Sequence, residues 1–209
     1  TRPVNVSCDA GAYEATTSLG DITPIHTIQG AGHRSPLVGS TVTTRGIVTA
    51  LGPNGFYLQY AKPDGDSATA EGIFVANGGA LRVLAGDDVI VLGTVAEIAP
   101  GGTLSHDLTV TTLTNAGVTL ISTKNALPAA VVMGQNGRSL PTAVIEDDAL
   151  TSFDPASDGL DFYESLEGRL VTLPDAVATG VLFQQFGEFY AVGNRGANAT
   201  SMNSRGGIT

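Results

Sequence analysis

Apolar and polar residues alternate with a period of two along much of the chain, which is typical of β-strands that bury one face. Residues 41–51, TVTTRGIVTAL, are rich in β-branched residues, and the turn residues PNG separate them from a second run, FYLQY. Alternating runs on both sides of an Asn-Gly turn predict a β-hairpin. Three further runs of this kind follow at residues 71–76, 87–98 and 106–114. Five short strands predict a small barrel, in which Gly46 or Gly93 allows a long strand to coil as the sheet closes.

A weaker copy of the first hairpin follows in the C-terminal part of the chain. LVGSTVTTRGIVTALG resembles LEGRLVTLPDAVATG, and GFYLQ is echoed by GEFYAV. This internal similarity predicts an all-β protein with two small barrels in tandem. The predicted organisation is a linker or the end of a preceding domain in residues 1–24, a first barrel in 25–124, a connector in 125–148, and a second, truncated barrel in 149–209. Phe183, Phe186, Phe189 and Tyr190 are expected in the core of the second unit.

Charge and composition limit the function. Ten basic residues against twenty acidic ones give a net charge of −10, which repels polyanions and disfavours strong nucleic-acid binding. No apolar run approaches the roughly 20 residues that cross a bilayer, so no membrane contact is expected. The one cysteine, Cys8, excludes an internal disulfide framework and is either a free thiol or half of a bridge to a partner. The start without Met and the lack of a closing element suggest a fragment.

Several collinear segments carry a family resemblance: IHTIQGAGHRSPLVGSTVTTRGIVTALGPNGFYLQ, EGIFV, GDDVIVLGTVAE, NALPAAVV and FDPASDGLDFYESLEGRLV. Together they resemble the non-catalytic region that precedes the nuclease domain in secreted bacterial nucleases of the endonuclease/exonuclease/phosphatase superfamily. The resemblance covers residues 25–209 and implies OB-fold-like barrels. It also implies an extracellular bacterial parent that hydrolyses DNA with Mg²⁺ or another divalent metal, and a neighbouring nuclease domain as partner. The motifs of the catalytic domain are absent from the sequence, so this chain is not expected to be an enzyme.

The resemblance leads us to expect an accessory region that positions single-stranded or duplex DNA. OB-folds stack bases on aromatic side chains of the second and third strands, with cations along the backbone. Alternation places Phe56 and Leu58 on one face and Tyr57 and Gln59 on the other. Tyr57 and Gln59, with Arg45 from the preceding strand, are therefore the predicted nucleic-acid contacts.

The alternative is a structural spacer or protein-interaction module that orders the nuclease domain without touching DNA, which the acidic charge favours. The positions of the arginines distinguish the two functions. If they form one stripe beside Tyr57, they support nucleic-acid binding, and if they are scattered, they support a spacer. The arginines in question are Arg34, Arg45, Arg82 and Arg138.

Acidic residues are concentrated in residues 139–168, where no basic residue lies. Ca²⁺ takes about six to eight oxygen ligands and favours carboxylates in flexible loops. Asp154, Asp158, Asp161 and Glu164 are therefore the predicted ligands of a calcium ion. In the alternative interpretation Asp154 and Asp158 cap turns and the other acids form a solvated face.

The three histidines, His26, His33 and His106, fit no zinc-binding spacing. We expect them to be structural or solvent-facing. The segment GAGHRSP has glycines but no following Lys-Ser/Thr pair, so it is interpreted as a bend that leads into the first strand and not as a phosphate-binding loop.

Overall fold

The computed structural model describes residues 21–76, 82–102, 107–183, 189–197, 199–201, 203, 204 and 207. Most of the predicted linker, together with Cys8, His106 and Phe186, lies outside these residues. The described part is mostly β, as the alternation predicts, and its centre is a mixed five-stranded sheet. No helix in the described part is long and apolar enough to cross a membrane.

The sheet is built from five strands, four of which agree closely with the predicted runs, while the fifth, predicted at 106–114, extends to Ser122. They are β1 Thr41–Gly52, β2 Gly55–Gln59, β3 Gly72–Ala76, β4 Asp88–Ile98 and β5 Val110–Ser122. β1 and β2 form the predicted antiparallel hairpin, in which Asn54 adopts a positive φ of 59° in the turn. An asparagine tolerates this left-handed conformation better than most residues do.

The pairing of the strands closes on itself in the order β1-β2-β3-β5-β4, because β1 pairs with β2 along one edge and with β4 along the other. β3 and β5 are parallel, and the other pairs are antiparallel. Gly46 lies where β1 changes partner. A Cβ atom there would stand 2.5 Å from the carbonyl oxygen of Gln59. The glycine predicted to help the sheet coil is therefore required by close backbone contact.

The core lies inside this sheet. Phe56 and Leu58 of β2 are at most 1% exposed, as their alternation predicts. A short helix, α1 Ile25–Gln29, precedes β1 and was not anticipated from the sequence. Its two isoleucines, Ile25 and Ile28, are spaced three residues apart and are fully buried against the same core. The helix thus covers one end of the sheet.

Residues 125–209 are organised differently in the described part. They contain a second helix, α2 Gly159–Glu164, a 3₁₀ turn at Asn194–Gly196, and four strands of two residues each. These strands are β6 Val131–Val132, β7 Val171–Thr172, β8 Val177–Ala178 and β9 Ala191–Val192. β6 pairs in parallel with β7, and β8 pairs antiparallel with β9. The described residues of this part do not form a second five-stranded sheet, so the second barrel stays a prediction.

The aromatic residues of the second unit are not in a core. Phe183 is 52% exposed, Phe189 60% and Tyr190 70%. The expectation that these three are buried is wrong for the described structure. The physical reason is that β8 and β9 pair over only two residues each and the three aromatic residues lie beyond this pair. The rings of Phe183 and Tyr190 contact each other edge to face, with centroids 6.3 Å apart.

Candidate functional site

The predicted nucleic-acid residue Tyr57 lies on the outer face of β2, and 37% of it is exposed. Its ring centroid is 5.1 Å from that of Phe74 on β3. Arg45 is not beside it, since Ala50 is the residue of β1 that faces Tyr57. Five residues of extended strand separate Ala50 from Arg45, which is about 16 Å.

Arg45 is already bound within the sheet. Its Nε and Nη2 donate to the two carboxylate oxygens of Asp88 at 3.0 and 2.6 Å. This bidentate pair uses the planar face with which a guanidinium binds a phosphate. A nucleic acid would have to compete with Asp88 for Arg45.

Gln59 is 2% exposed, although alternation places it on the same face as Tyr57. Its side-chain oxygen accepts a hydrogen bond from the backbone N–H of Leu170 at 2.9 Å. The expectation that Gln59 lies on an open surface is wrong, because residues 168–170 cover this end of β2. A Cβ atom on Gly72 would stand 2.1 Å from the carbonyl carbon of Gly168, so the two backbones are in direct contact.

The four arginines chosen from the sequence do not form a stripe beside Tyr57. Arg34 and Arg82 are exposed in two different loops. Arg138 packs its guanidinium carbon 4.8 Å from the ring centroid of Phe162 on α2. The arginine that does lie beside Tyr57 is Arg169, which lines the same small cavity. No local sequence pattern indicates this position, because it follows from the packing of residues 168–170 on the sheet.

The four predicted calcium ligands are brought only partly together. Asp158 caps α2 and accepts hydrogen bonds from two backbone N–H groups of its first turn. Asp154 donates its backbone N–H to a carboxylate oxygen of Asp161 at 2.7 Å. The carboxylates of Asp158 and Asp161 lie close to that of Glu146, with one oxygen of each within 4.8 Å of the others. Glu164 is outside this group. Calcium binding stays a prediction, and the capping role expected for Asp158 in the alternative interpretation is present.

The contact between residues 153–170 and the rest of the chain, which we call the junction, is polar and mostly withdrawn from solvent. His33 Nε2 lies 2.5 Å from Asp161 Oδ1. Glu167 Oε1 accepts from Gln29 Nε2 at 3.1 Å and from the backbone N–H of Thr111 at 2.9 Å. These contacts join α2 and the turn after it to Gln29 at the end of α1, to the loop that carries His33, and to β5.

Several carboxyl groups meet at the junction. Burial raises the pKa of Glu164 to about 7, and the electrostatic interaction with His33 opposes this rise. Burial also raises the pKa of Glu167 to about 8, and the negative charges of Glu164 and Glu97 add to the effect. Glu97 itself accepts hydrogen bonds from the Thr111 hydroxyl and from two other donors. At pH 7 Glu167 is therefore mostly protonated, which reduces repulsion among these acids.

A second ion network lies beside the junction. His26 Nδ1 is 3.1 Å from a carboxylate oxygen of Glu71 and 4.0 Å from one of Asp64. Glu71 is 1% exposed, and the Tyr60 ring stands edge-on to His26 at 5.6 Å. The ligand atoms of the three ionisable residues lie within 4.8 Å of one another, close enough to hold a metal ion. The positive charge of Arg169 also acts on this network, so its acids have cationic partners within the protein.

His26 and His33 are thus both engaged by carboxylates, which agrees with the structural role expected for them. Their acidic partners could not be found from the sequence, since 45 residues separate His26 from Glu71 and 128 separate His33 from Asp161. The arrangement joins distant elements through paired polar groups. Such pairing stabilises a fixed arrangement of these elements.

Comparison with known proteins adds one match. A family profile described as a domain of unknown function (DUF8508) matches residues 132–209, which is less than half of the chain. The matched part begins at β6 and includes α2 and the junction segment. No curated protein and no solved structure matches significantly.

Proposed function

We propose that this chain is a non-catalytic accessory region of an extracellular bacterial nuclease of the endonuclease/exonuclease/phosphatase superfamily, and that it acts as a structural module that orders the neighbouring nuclease domain. The family assignment rests on the sequence resemblance. The observation that carries the structural role is the engagement of cations within the protein. Arg45 is bound by Asp88, and Arg138 is packed on Phe162.

The charge of the whole chain supports the same choice. Non-specific affinity for nucleic acid comes mainly from cations that neutralise phosphates. The net charge is −10, Arg45 is held in a bidentate pair, and the described residues of the sheet form no basic stripe beside Tyr57. A module that holds two parts of a polypeptide in a fixed arrangement needs no such stripe.

We further infer that the five-stranded sheet is an OB-fold-like barrel. Its five strands, its closed pairing order and the tight turn between β1 and β2 support this assignment. The short strands of residues 125–209 are interpreted as part of the second unit of the tandem.

A second candidate function is the positioning of single-stranded DNA, and Tyr57 favours it. Tyr57 is 37% exposed, its ring lies beside Phe74, and it borders a cavity that Arg169 also lines. An exposed aromatic ring can stack on a base and contribute about 1 to 3 kcal/mol. For this function, the binding energy from the Tyr57 ring and the Arg169 cation must exceed the repulsion between DNA and a chain with excess negative charge.

Fluorescence anisotropy of a labelled single-stranded oligonucleotide, titrated with the 209-residue chain at low salt with and without millimolar calcium, separates the two functions. The structural role predicts no saturable change up to about 100 μM protein, where weak non-specific contacts are normally detected. Saturable binding that falls with salt and is weakened in Tyr57→Ala would instead establish positioning. Incubation with duplex DNA and Mg²⁺ is expected to give no cleavage, and reproducible cleavage would overturn the non-catalytic assignment.

A further inference from the structure

The second ion network, formed by His26, Asp64 and Glu71, brings three metal-ligating side chains to one point. His26 lies in α1, Asp64 lies in the loop between β2 and β3, and Glu71 directly precedes β3. The imidazole Nδ1 of His26 stands 3.1 Å from a carboxylate oxygen of Glu71 and 4.0 Å from one of Asp64. The ligand atoms of all three residues lie within 4.8 Å of one another. Tertiary packing thus assembles one nitrogen and two carboxylate ligands from separate segments of the chain.

The separations between these atoms match the size of a transition-metal site. Zn²⁺ binds His nitrogen and carboxylate oxygen at about 2.0 to 2.2 Å in tetrahedral geometry, so two of its ligand atoms lie about 3.4 Å apart. The two separations measured from Nδ1 of His26 fall on either side of this value. Side-chain shifts of about 1 Å or less would therefore bring Nδ1 and one oxygen of each carboxylate within bonding distance of a single ion.

Hydrogen bonds within the loop hold the two carboxylates in place. Asp64 accepts from the backbone N–H of Asp66 at 2.8 Å and from the Thr69 hydroxyl at 2.9 Å. Glu71 accepts from the backbone N–H of Asp64 at 2.8 Å through Oε1, while its other oxygen, Oε2, faces His26. Carboxylates that bind metals are hydrogen-bonded in this way, because such partners fix the orientation of the ligand.

The charge and the exposure of the network also favour a cation. The side chain of Asp64 is 26% exposed, whereas that of Glu71 is 1% exposed, so an ion from solvent can approach from the side of Asp64. Arg169 contributes one positive charge that acts on both carboxylates. When the imidazole of His26 is neutral, the two carboxylates outweigh this single charge. A buried carboxylate without a full positive counterpart is destabilising, and an added cation relieves that cost.

We propose that His26, Asp64 and Glu71 form a binding site for a divalent transition-metal ion of the Zn²⁺ type, with water completing its coordination. Imidazole nitrogen combined with carboxylate oxygen suits Zn²⁺, whereas Ca²⁺ and Mg²⁺ take oxygen ligands. Without the ion, Nδ1 of His26 donates its proton to the Glu71 carboxylate, which can only accept. When the ion binds, this proton leaves Nδ1 for Nε2 or for solvent, and the ion replaces the hydrogen bond. The bound ion joins α1 to the loop in front of β3. The site does not depend on the nuclease assignment.

The test is a titration of the ¹⁵N-labelled 209-residue chain with zinc chloride, followed in the ¹H–¹⁵N spectra of the histidine side chains. Nδ1 of His26 is expected to shift saturably. The midpoint of thermal unfolding should rise, because a ligand that binds the folded state stabilises it. If an excess of Zn²⁺ leaves the His26 signals in place, whatever else it binds, the proposal is overturned. Calcium chloride at the same concentrations should leave Nδ1 in place, and an equal shift with Ca²⁺ would contradict an ion bound through nitrogen.

Two variants of the same loop make the assignment specific. Asp64→Asn and Asp66→Asn each remove one negative charge, and asparagine keeps an oxygen for the backbone N–H group that each aspartate binds. Asp64→Asn removes a ligand and should weaken Zn²⁺ binding, measured from the midpoint of the His26 shift, about tenfold or more. Asp66→Asn is the matched control and should bind Zn²⁺ as the unaltered chain does. Equal weakening in both variants would trace the effect to the general charge of the loop and overturn the site. Should Asp64→Asn fail to fold, the spectra of the unaltered chain decide alone.

Discussion

Replacement of Glu167 by glutamine tests the physical account of the junction. Glu167 accepts hydrogen bonds from Gln29 and from the backbone of Thr111, and burial raises its pKa from 4.5 to about 8. A glutamine has the same shape, keeps an oxygen for both donors and cannot ionise. The variant therefore removes the titration of this group while it preserves the contacts.

The sign of the pH effect follows from proton binding. Between pH 4.5 and about 8 the folded chain holds a proton on Glu167 that the unfolded chain has released. Stability is then lost as the pH rises through this interval and is fully retained only below it. At about 1.36 kcal/mol per pH unit, the loss between pH 5 and pH 8 has a ceiling of about 4 kcal/mol. Glu164, with a pKa of about 7, contributes in the same direction.

Urea denaturation from pH 5 to pH 9, followed by circular dichroism, measures the effect. We expect the unaltered chain and Glu167→Gln to have similar free energies of unfolding at pH 5. The variant should become the more stable of the two by a few kcal/mol at pH 8 to 9. Asp107→Asn serves as the control, because Asp107 is exposed. Its free energy of unfolding should equal that of the unaltered chain at every pH. If Glu167→Gln and the unaltered chain lose or gain stability in parallel over the whole range, Glu167 is not buried as a neutral acid and the reasoning fails.

Three further substitutions test single contacts by urea denaturation at pH 6. Gly72→Ala should destabilise the fold by about 3 kcal/mol or more, because its Cβ would stand 2.1 Å from the backbone of Gly168; an unchanged midpoint would contradict this close approach. Asp158→Ala should cost about 1 kcal/mol by removing the cap of α2, and Asp158→Asn should restore most of it; equal losses in both variants would argue against capping. Arg45→Gln should change stability by less than about 1 kcal/mol, since its pair with Asp88 is half-exposed, and the difference should shrink at high salt.

The five-stranded sheet could be predicted because the sequence patterns that determine its strands lie within short segments. Alternating β-branched residues and the Asn-Gly turn determine where β1 and β2 begin and end, and the structure agrees closely with residues 41–51 and the run after the turn. A glycine in the middle of a long strand, Gly46 or Gly93, was also predicted to let the sheet coil, and Gly46 lies where β1 changes partner. In contrast, α1 has only five residues, which is too short for a helical period to be distinguished from a bend.

The candidate site was predicted less well because its contacts are not local. Alternation correctly placed Tyr57 on the outer face, but it could not show that residues 168–170 cover Gln59 on that same face. Glu167 is one of several acids in an acidic stretch and carries no pattern of its own. Its partner Thr111 is 56 residues away. A periodicity argument assigns a residue to a face of its own element, and only tertiary packing decides what lies on that face.

The distribution of charge links the fold to the choice between the two functions. A surface that holds DNA keeps its cations exposed and its acids away from the strand. Here Arg45, at 47% side-chain exposure, is bound to Asp88, and Arg138 is packed on an aromatic ring. The acids of the junction are withdrawn from solvent with raised pKa values. Burial of such groups is costly unless they have partners, and Glu167 has Gln29 and Thr111, which lie far from it in the sequence. The charged residues at these positions thus fix the arrangement of the two parts of the chain, which is the property that a module ordering a neighbouring domain requires.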